Sequence, residues 1–172
     1  MKKIILFALL VLDLLASSPS ALSFVDAKKF SGLWYEMART YNSYQKECVA
    51  SSVEYLLQDD GTYDVNNRCF KNVIGGKLIE YNGTVKSEQG SSMSYLKMRY
   101  FFVFARSYKV VYLDEDYKTA VVCDKDMNQV WIMSRTPRIA PQKLDQILTF
   151  LDKYMDTKKF IITPQDPQGR YK

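Results

Sequence analysis

The sequence contains no histidine. That single absence removes the commonest general base, the commonest neutral metal ligand and the usual switch near neutral pH. Cysteine is nearly as scarce, with Cys48, Cys69 and Cys123 as the whole complement. The carboxylates show no calcium-loop spacing, so neither a metal nor a cofactor is implied. No paired acid–base motif stands out either, and the chain reads as a binding protein, not an enzyme. Beyond the N-terminal segment there is no second long apolar run, and there is no tract of like charge. The formal charge is +5, with Lys and Arg scattered along the 172 residues. A nucleic-acid footprint would cluster on one face, so no nucleic-acid partner is expected. A mild, transient contact with anionic membrane surfaces is compatible with this charge. Without repeats, low-complexity linkers or composition breaks, the length indicates one domain.

The N-terminal segment differs from the rest. Lys2 and Lys3 precede Ile4-Ile5-Leu6-Phe7-Ala8-Leu9-Leu10-Val11-Leu12, and Ala21-Leu22-Ser23 offers a small-x-small cleavage site. A charged, an apolar and a small-residue region in that order describe a secretory leader. The apolar part is too short for the roughly 20 residues that span a bilayer. We expect residues 1–23 to be a signal peptide cleaved near Ser23–Phe24, with one domain over 24–172. Removal of Lys2, Lys3 and Asp13 leaves a charge of +4. The expected location is periplasmic or extracellular. No cysteine precedes Cys48 to carry a lipid, so the protein is expected not to be lipid-anchored.

After the leader the chain becomes a series of short alternating runs. Residues 33–40 form the first. Runs at 51–57 and 63–67 flank Asp59-Asp60-Gly61, a strong hairpin signal. Further runs cover 78–85, 95–104, 108–113, 119–123 and 129–134. Eight strands at such spacing describe a sandwich or barrel. The period then changes. After Pro141, residues Leu144, Ile147, Leu148, Leu151 and Tyr154 share one face of an amphipathic helix, with Pro in its first turn. That helix must pack outside the sheet. Phe160-Ile161-Ile162 reads as a short edge strand.

Gly32-Leu33-Trp34-Tyr35 opens the first strand. The glycine permits close backbone packing and the indole can plug one end of a hollow body. Arg135, just past the last strand of the series, is placed to stack on that indole; such a contact contributes about 0.5–2 kcal/mol. Gly32-x-Trp34, the Asp114-x-x-Tyr117 turn and Arg135 match, in order and spacing, the three signatures of the lipocalin family. The strings Trp34-Tyr35-Glu36-Met37-Ala38-Arg39 and Val130-Trp131-Ile132-Met133-Ser134-Arg135-Thr136-Pro137 resemble the branch that holds bacterial outer-membrane lipocalins and apolipoprotein D. The resemblance spans about Phe24 to Gln165. It implies an all-β fold: an eight-stranded antiparallel up-and-down barrel, a C-terminal helix packed outside and a short ninth strand. It also implies a small hydrophobic ligand, a fatty acid or lysophospholipid, stored or carried in the barrel. Gly32, Trp34, Asp114, Tyr117 and Arg135 are then structural.

Inward and outward side chains alternate along barrel strands. On the second strand the alternating face is Ser51, Val53, Tyr55 and Leu57; across the hairpin it is Tyr63, Val65 and Asn67. Later strands supply Leu96, Met98 and Tyr100, then Tyr108, Val110 and Tyr112, then Trp131 and Met133. From Val53 onward, and without Leu57, these are the candidate cavity residues. The same residues could also fill a solid core. Lys97, Arg99 and Lys109 are candidates for capping an anionic head, with a solvated outer face as the plainer role. Phe101, Phe102 and Phe104 could form a lip at the mouth, a dimer contact or a membrane-touching patch, and both monomer and dimer stay open.

Export implies an oxidising compartment. Cys48 and Cys69 lie symmetrically about Asp59, near enough to oppose each other across the hairpin. The apolar alternation pairs Val53 with Val65 and Tyr55 with Tyr63 instead, so a Cys48–Cys69 disulfide requires a one-residue bulge. Cys123 is left as the odd thiol, either a small buried residue or a reactive group. An enzyme of isomerase or de-epoxidase type would use Cys123 or a cavity carboxylate. Asn82-Gly83-Thr84 fits a glycosylation sequon.

Overall fold

A computed structural model of the chain describes residues 18–100 and 104–172. The alternating runs form strands β1 (Gly32–Arg39), β2 (Cys48–Leu57), β3 (Tyr63–Lys71), β4 (Leu78–Gln89), β5 (Ser92–Tyr100), β6 (Phe104–Leu113), β7 (Thr119–Asp124) and β8 (Val130–Ser134). Each pairs antiparallel with the next, and β1 pairs with both β8 and β2, which closes the barrel. A two-residue β9 (Ile161–Ile162) adds to β1 at Ala38 and Arg39. Helix α2 (Pro141–Leu151) has Pro at its start and packs on the outside.

Closure of β1 on β8 and β2 makes two separate apolar regions. Inward residues of the narrow end, among them Val65, Val85, Met93 and Val110, pack with Phe30 and Trp34 into a solid floor. Phe30 comes from a single helical turn, α1 (Ala27–Phe30), capped by the Asp26 side chain. On the outside, Ile147 and Leu151 of α2 bury against Val121, Cys123, Val130 and Ile132. Adjacent residues such as Val121 and Val122 therefore serve opposite faces.

Four register shifts decide which side chains face in; the one between Ser87 and Gln89 of β4 leaves Met93 and Leu96 of β5, three apart, both in the inner core. The β1 register against β8 shifts between Glu36 and Ala38, so Glu36 and Arg39, three apart, come together and pair at 3.2 Å. In β2 the shift falls between Val49 and Ser52, where Ala50 has φ of 49° and donates its N–H to the Pro164 carbonyl. In β6 it falls between Val110 and Tyr112. Each extra residue reverses the parity beyond it.

The β2–β3 hairpin departs from the expected pairing. Tyr55 opposes Val65 and Leu57 opposes Tyr63, because Gln58 N–H bonds the Thr62 carbonyl at 2.8 Å and the turn is longer than apolar matching suggests. The displacement is two residues, so the inward face is unchanged. The bulge at Ala50 is the one a bridge requires, and Cys48 and Cys69 form a disulfide.

Residues 1–17 of the expected leader lie outside the described residues. Residues 18–23 do not hang free. Pro19 is buried, Leu22 N–H donates to Val110 O at 2.9 Å, and Lys109 Nζ donates to Ser18 Oγ and to Pro19 O.

Candidate functional site

The floor is built first. Trp34 is fully buried and its Nε1 donates to Phe30 O at 2.9 Å. Arg135 lies 3.8 Å from the indole centroid and donates to the carbonyls of Lys29, Leu33 and Tyr117. Burial brings its guanidinium down to about 10. Gly32 sits at φ +92°, with Arg135 Nη1 3.4 Å from where a Cβ would be. Nearby, Asp114 Oδ1 accepts the N–H groups of Lys118 and Thr119, and the Tyr117 hydroxyl accepts from Asp26 N–H. These five residues thus close and brace one end.

Above the floor lies a cavity of about 370 Å³, within the range of small-molecule sites. Of the expected lining, Val53, Tyr55, Asn67, Leu96, Met98, Tyr100, Tyr108, Trp131 and Met133 border it. Tyr63, Val65 and Val110 point inward but lie lower, as part of the packed floor. Tyr63 gives its hydroxyl to Ala27 O at 2.8 Å and so ties α1 across the closed end. Tyr112 is a correction. The β6 bulge turns it outward, where its ring lies 6.1 Å from that of Phe150 on α2.

Several lining residues escaped the sequence reading. Val122 borders the cavity, opposite Trp131; alternation from Trp131 across that ladder would have found it. Glu36, Gln45 and Arg68 also border it. Glu36 is buried and accepts from Thr163 Oγ1 at 2.5 Å and Gln45 Nε2 at 2.7 Å, beside Arg39. Burial raises its carboxyl above the usual range, against those hydrogen bonds and the Arg39 charge. Gln45 Oε1 in turn accepts from Trp131 Nε1 at 3.0 Å. The network fixes the indole of Trp131 in the wall.

The cations at the cavity are not the expected ones. Lys97 and Arg99 are exposed on the outward face of β5, and Lys109 holds the N-terminal segment. The cations that border the cavity are Arg68 and Arg106. Arg68 is bound by Glu54 at 2.9 Å and Glu80 at 2.8 Å. Phe104 and Tyr44 are exposed at the same rim; Phe101 and Phe102 of the expected lip lie outside the described residues. Cys123 is fully buried beneath α2, not in the cavity, and burial pushes its thiol up to about 12.

A closed eight-stranded barrel with this floor and an apolar interior coincides with a family match: the model of the lipocalin-like domain fits residues 25–165. The chain belongs to the lipocalin family. Among relatives of this lipocalin, outer membrane lipoprotein Blc of Escherichia coli K12 is 32% identical over 141 residues, covering 81% of this chain and 79% of Blc. Bovine (Bos taurus) apolipoprotein D is 26% identical over 149 residues, covering 81% and 77%. Among solved structures, the cockroach allergen Per a 4 superimposes with a TM-score of 0.66 at 22% identity, over 88% of this chain and 96% of that one. This lipocalin shares the closed barrel of that solved structure, with an apolar and aromatic cavity inside it.

Proposed function

We propose that the protein is an exported carrier that stores or transports a fatty acid or lysophospholipid in its cavity. One observation carries this reading: the space above the Trp34 floor is enclosed by apolar and aromatic side chains and opens at a rim holding Arg106. Burial of an acyl chain contributes about 0.8 kcal/mol per CH₂, and a charged head can stay at the rim, near Arg106 and water. Charge left in the apolar interior would be costly. The Cys48–Cys69 disulfide supports export to an oxidising compartment.

The enzyme reading has lost its thiol, since Cys123 faces away from the cavity. Glu36 remains as a cavity carboxylate, but its oxygens are taken up by Thr163, Gln45 and Arg39. The test of the carrier is lipid extraction and native mass spectrometry of purified protein, with displacement of a fluorescent fatty acid. Co-purifying lipid and competitive displacement are the expected results. A protein that carries no lipid and does not bind the probe would be a filled barrel serving as an interaction surface.

A further inference from the structure

The hydroxyl groups inside the cavity are not equivalent. Tyr44 and Tyr108 both turn theirs to Gln129 Oε1, at 3.1 and 3.4 Å. The Tyr100 hydroxyl accepts from Asn67 Nδ2 at 3.0 Å, and its own proton has no acceptor among the described residues. Tyr55 is 3% exposed, its ring held between Phe30 and Tyr63. Its hydroxyl has no partner among the described residues, and the residue borders the cavity. Two phenolic O–H donors are therefore uncommitted in a wall whose Glu36, Gln45, Asn67 and Arg68 side chains are already engaged; the Ser52 hydroxyl also lacks a partner among the described residues but is sealed from the cavity.

Their placement has a backbone cause. Tyr55 pairs with Val65, Val65 with Gly83, and Gly83 with Tyr100, so both phenols belong to one row across β2–β5. A Cβ at Gly83 would lie 2.6 Å from Arg99 O and 2.9 Å from Tyr100 Cδ1. Only glycine lets the Tyr100 ring lie across β4 and reach Asn67. Burial raises both phenols and keeps them protonated as donors.

Of the two cations that border the cavity among the described residues, Arg68 is matched by Glu54 and Glu80 and Arg106 stands at the rim; Arg39, behind the wall, is matched by Glu36. A carboxylate or phosphate brought down to Tyr55 would meet no free cation, whereas a neutral oxygen needs only a donor. We propose that Tyr55 and Tyr100 donate hydrogen bonds to an uncharged oxygen on the buried part of the ligand, so that the cavity selects an acyl chain bearing a hydroxyl or carbonyl group over an unsubstituted one. This rests on the carrier reading and adds its selectivity. A site whose donors are left unpaired discriminates against the ligand lacking the acceptor.

The experiment compares octadecanoic acid with its mid-chain hydroxy and oxo derivatives as competitors of a bound fluorescent fatty acid. On wild-type protein the oxygenated acids should compete about tenfold more tightly. Tyr55→Phe and Tyr100→Phe should each reduce that preference, and the double variant should abolish it, read as the ratio of the affinities of the oxygenated and plain acids on the same protein. Equal competition on wild-type protein, the result if the hydroxyls serve only cavity water, overturns the inference and leaves the carrier intact. A preference that persists in the folded double variant also overturns it. If the probe does not bind wild-type protein at all, the carrier reading falls and this selectivity falls with it.

Discussion

Arg135 stacks 3.8 Å from the centroid of the Trp34 ring while its guanidinium donates to the carbonyls of Lys29, Leu33 and Tyr117. The contact joins the first strand to the segment after the last one of the barrel, at the end where no ligand enters. Arg135→Ala should cost about 2–4 kcal/mol, the stacking energy plus the penalty for stranded carbonyls. Arg135→Lys should recover little, because an ammonium cannot reproduce the planar fork that serves all three. Urea unfolding measures the loss. Fatty-acid affinity of the folded fraction should be unchanged, since neither residue borders the cavity.

The two tryptophans should report different events. Trp131 borders the cavity and is anchored by Gln45; Trp34 is sealed beneath it with no exposed surface. Ligand addition should change the emission of wild-type protein and of Trp34→Phe, but not of Trp131→Phe. A persistent response in the Trp131 variant would place the ligand elsewhere.

Most of the barrel was legible because period-two alternation survives along uninterrupted strands. Leu96, Met98 and Tyr100 obey it without fault and all border the cavity. The failures trace to irregularities that leave no mark in composition. One bulge sends Tyr112 to the outer face, and another brings Glu36 and Arg39 together at a spacing that alternation assigns to opposite sides. Depth is the second missing quantity. Alternation states that Tyr63, Val65 and Val110 point inward, but not that the taper and Phe30 fill that level solidly. Gly83 could be read only as part of a sequon, since its packing role depends on the ring of Tyr100.

Cys123 should be chemically silent in the native state. Burial lifts its thiol to about 12, so almost no thiolate exists at pH 8 to attack an alkylating reagent. Iodoacetamide should modify it only after unfolding. The same shift fixes the sign of the alkaline limb. An unfolded cysteine ionises near 8.5 and tyrosine near 10, while buried Cys123 and Tyr55 hold their protons longer. The unfolded state then binds fewer protons, so stability present below about pH 8.5 declines as pH rises towards 12. Urea unfolding between pH 7 and pH 10.5 measures the slope, and Cys123→Ala should flatten it.

The segment before Phe24 should contribute to stability. Cleavage at Ser23–Phe24, the site the leader pattern suggests, would remove the Leu22–Val110 hydrogen bond, the burial of Pro19 and both partners of Lys109 Nζ. Leu22 also packs against the inner core, so its loss would bare apolar surface on the barrel. One buried hydrogen bond and part of a leucine side chain together correspond to about 1–3 kcal/mol. Protein beginning at Ser18 should therefore resist urea better than protein beginning at Phe24 by that margin, with the slope of unfolding little changed. Equal midpoints would show that residues 18–23 are dispensable and would favour cleavage at Ser23. A higher midpoint for the longer protein would favour a cleavage site upstream of Ser18, which N-terminal sequencing of the exported protein would then locate.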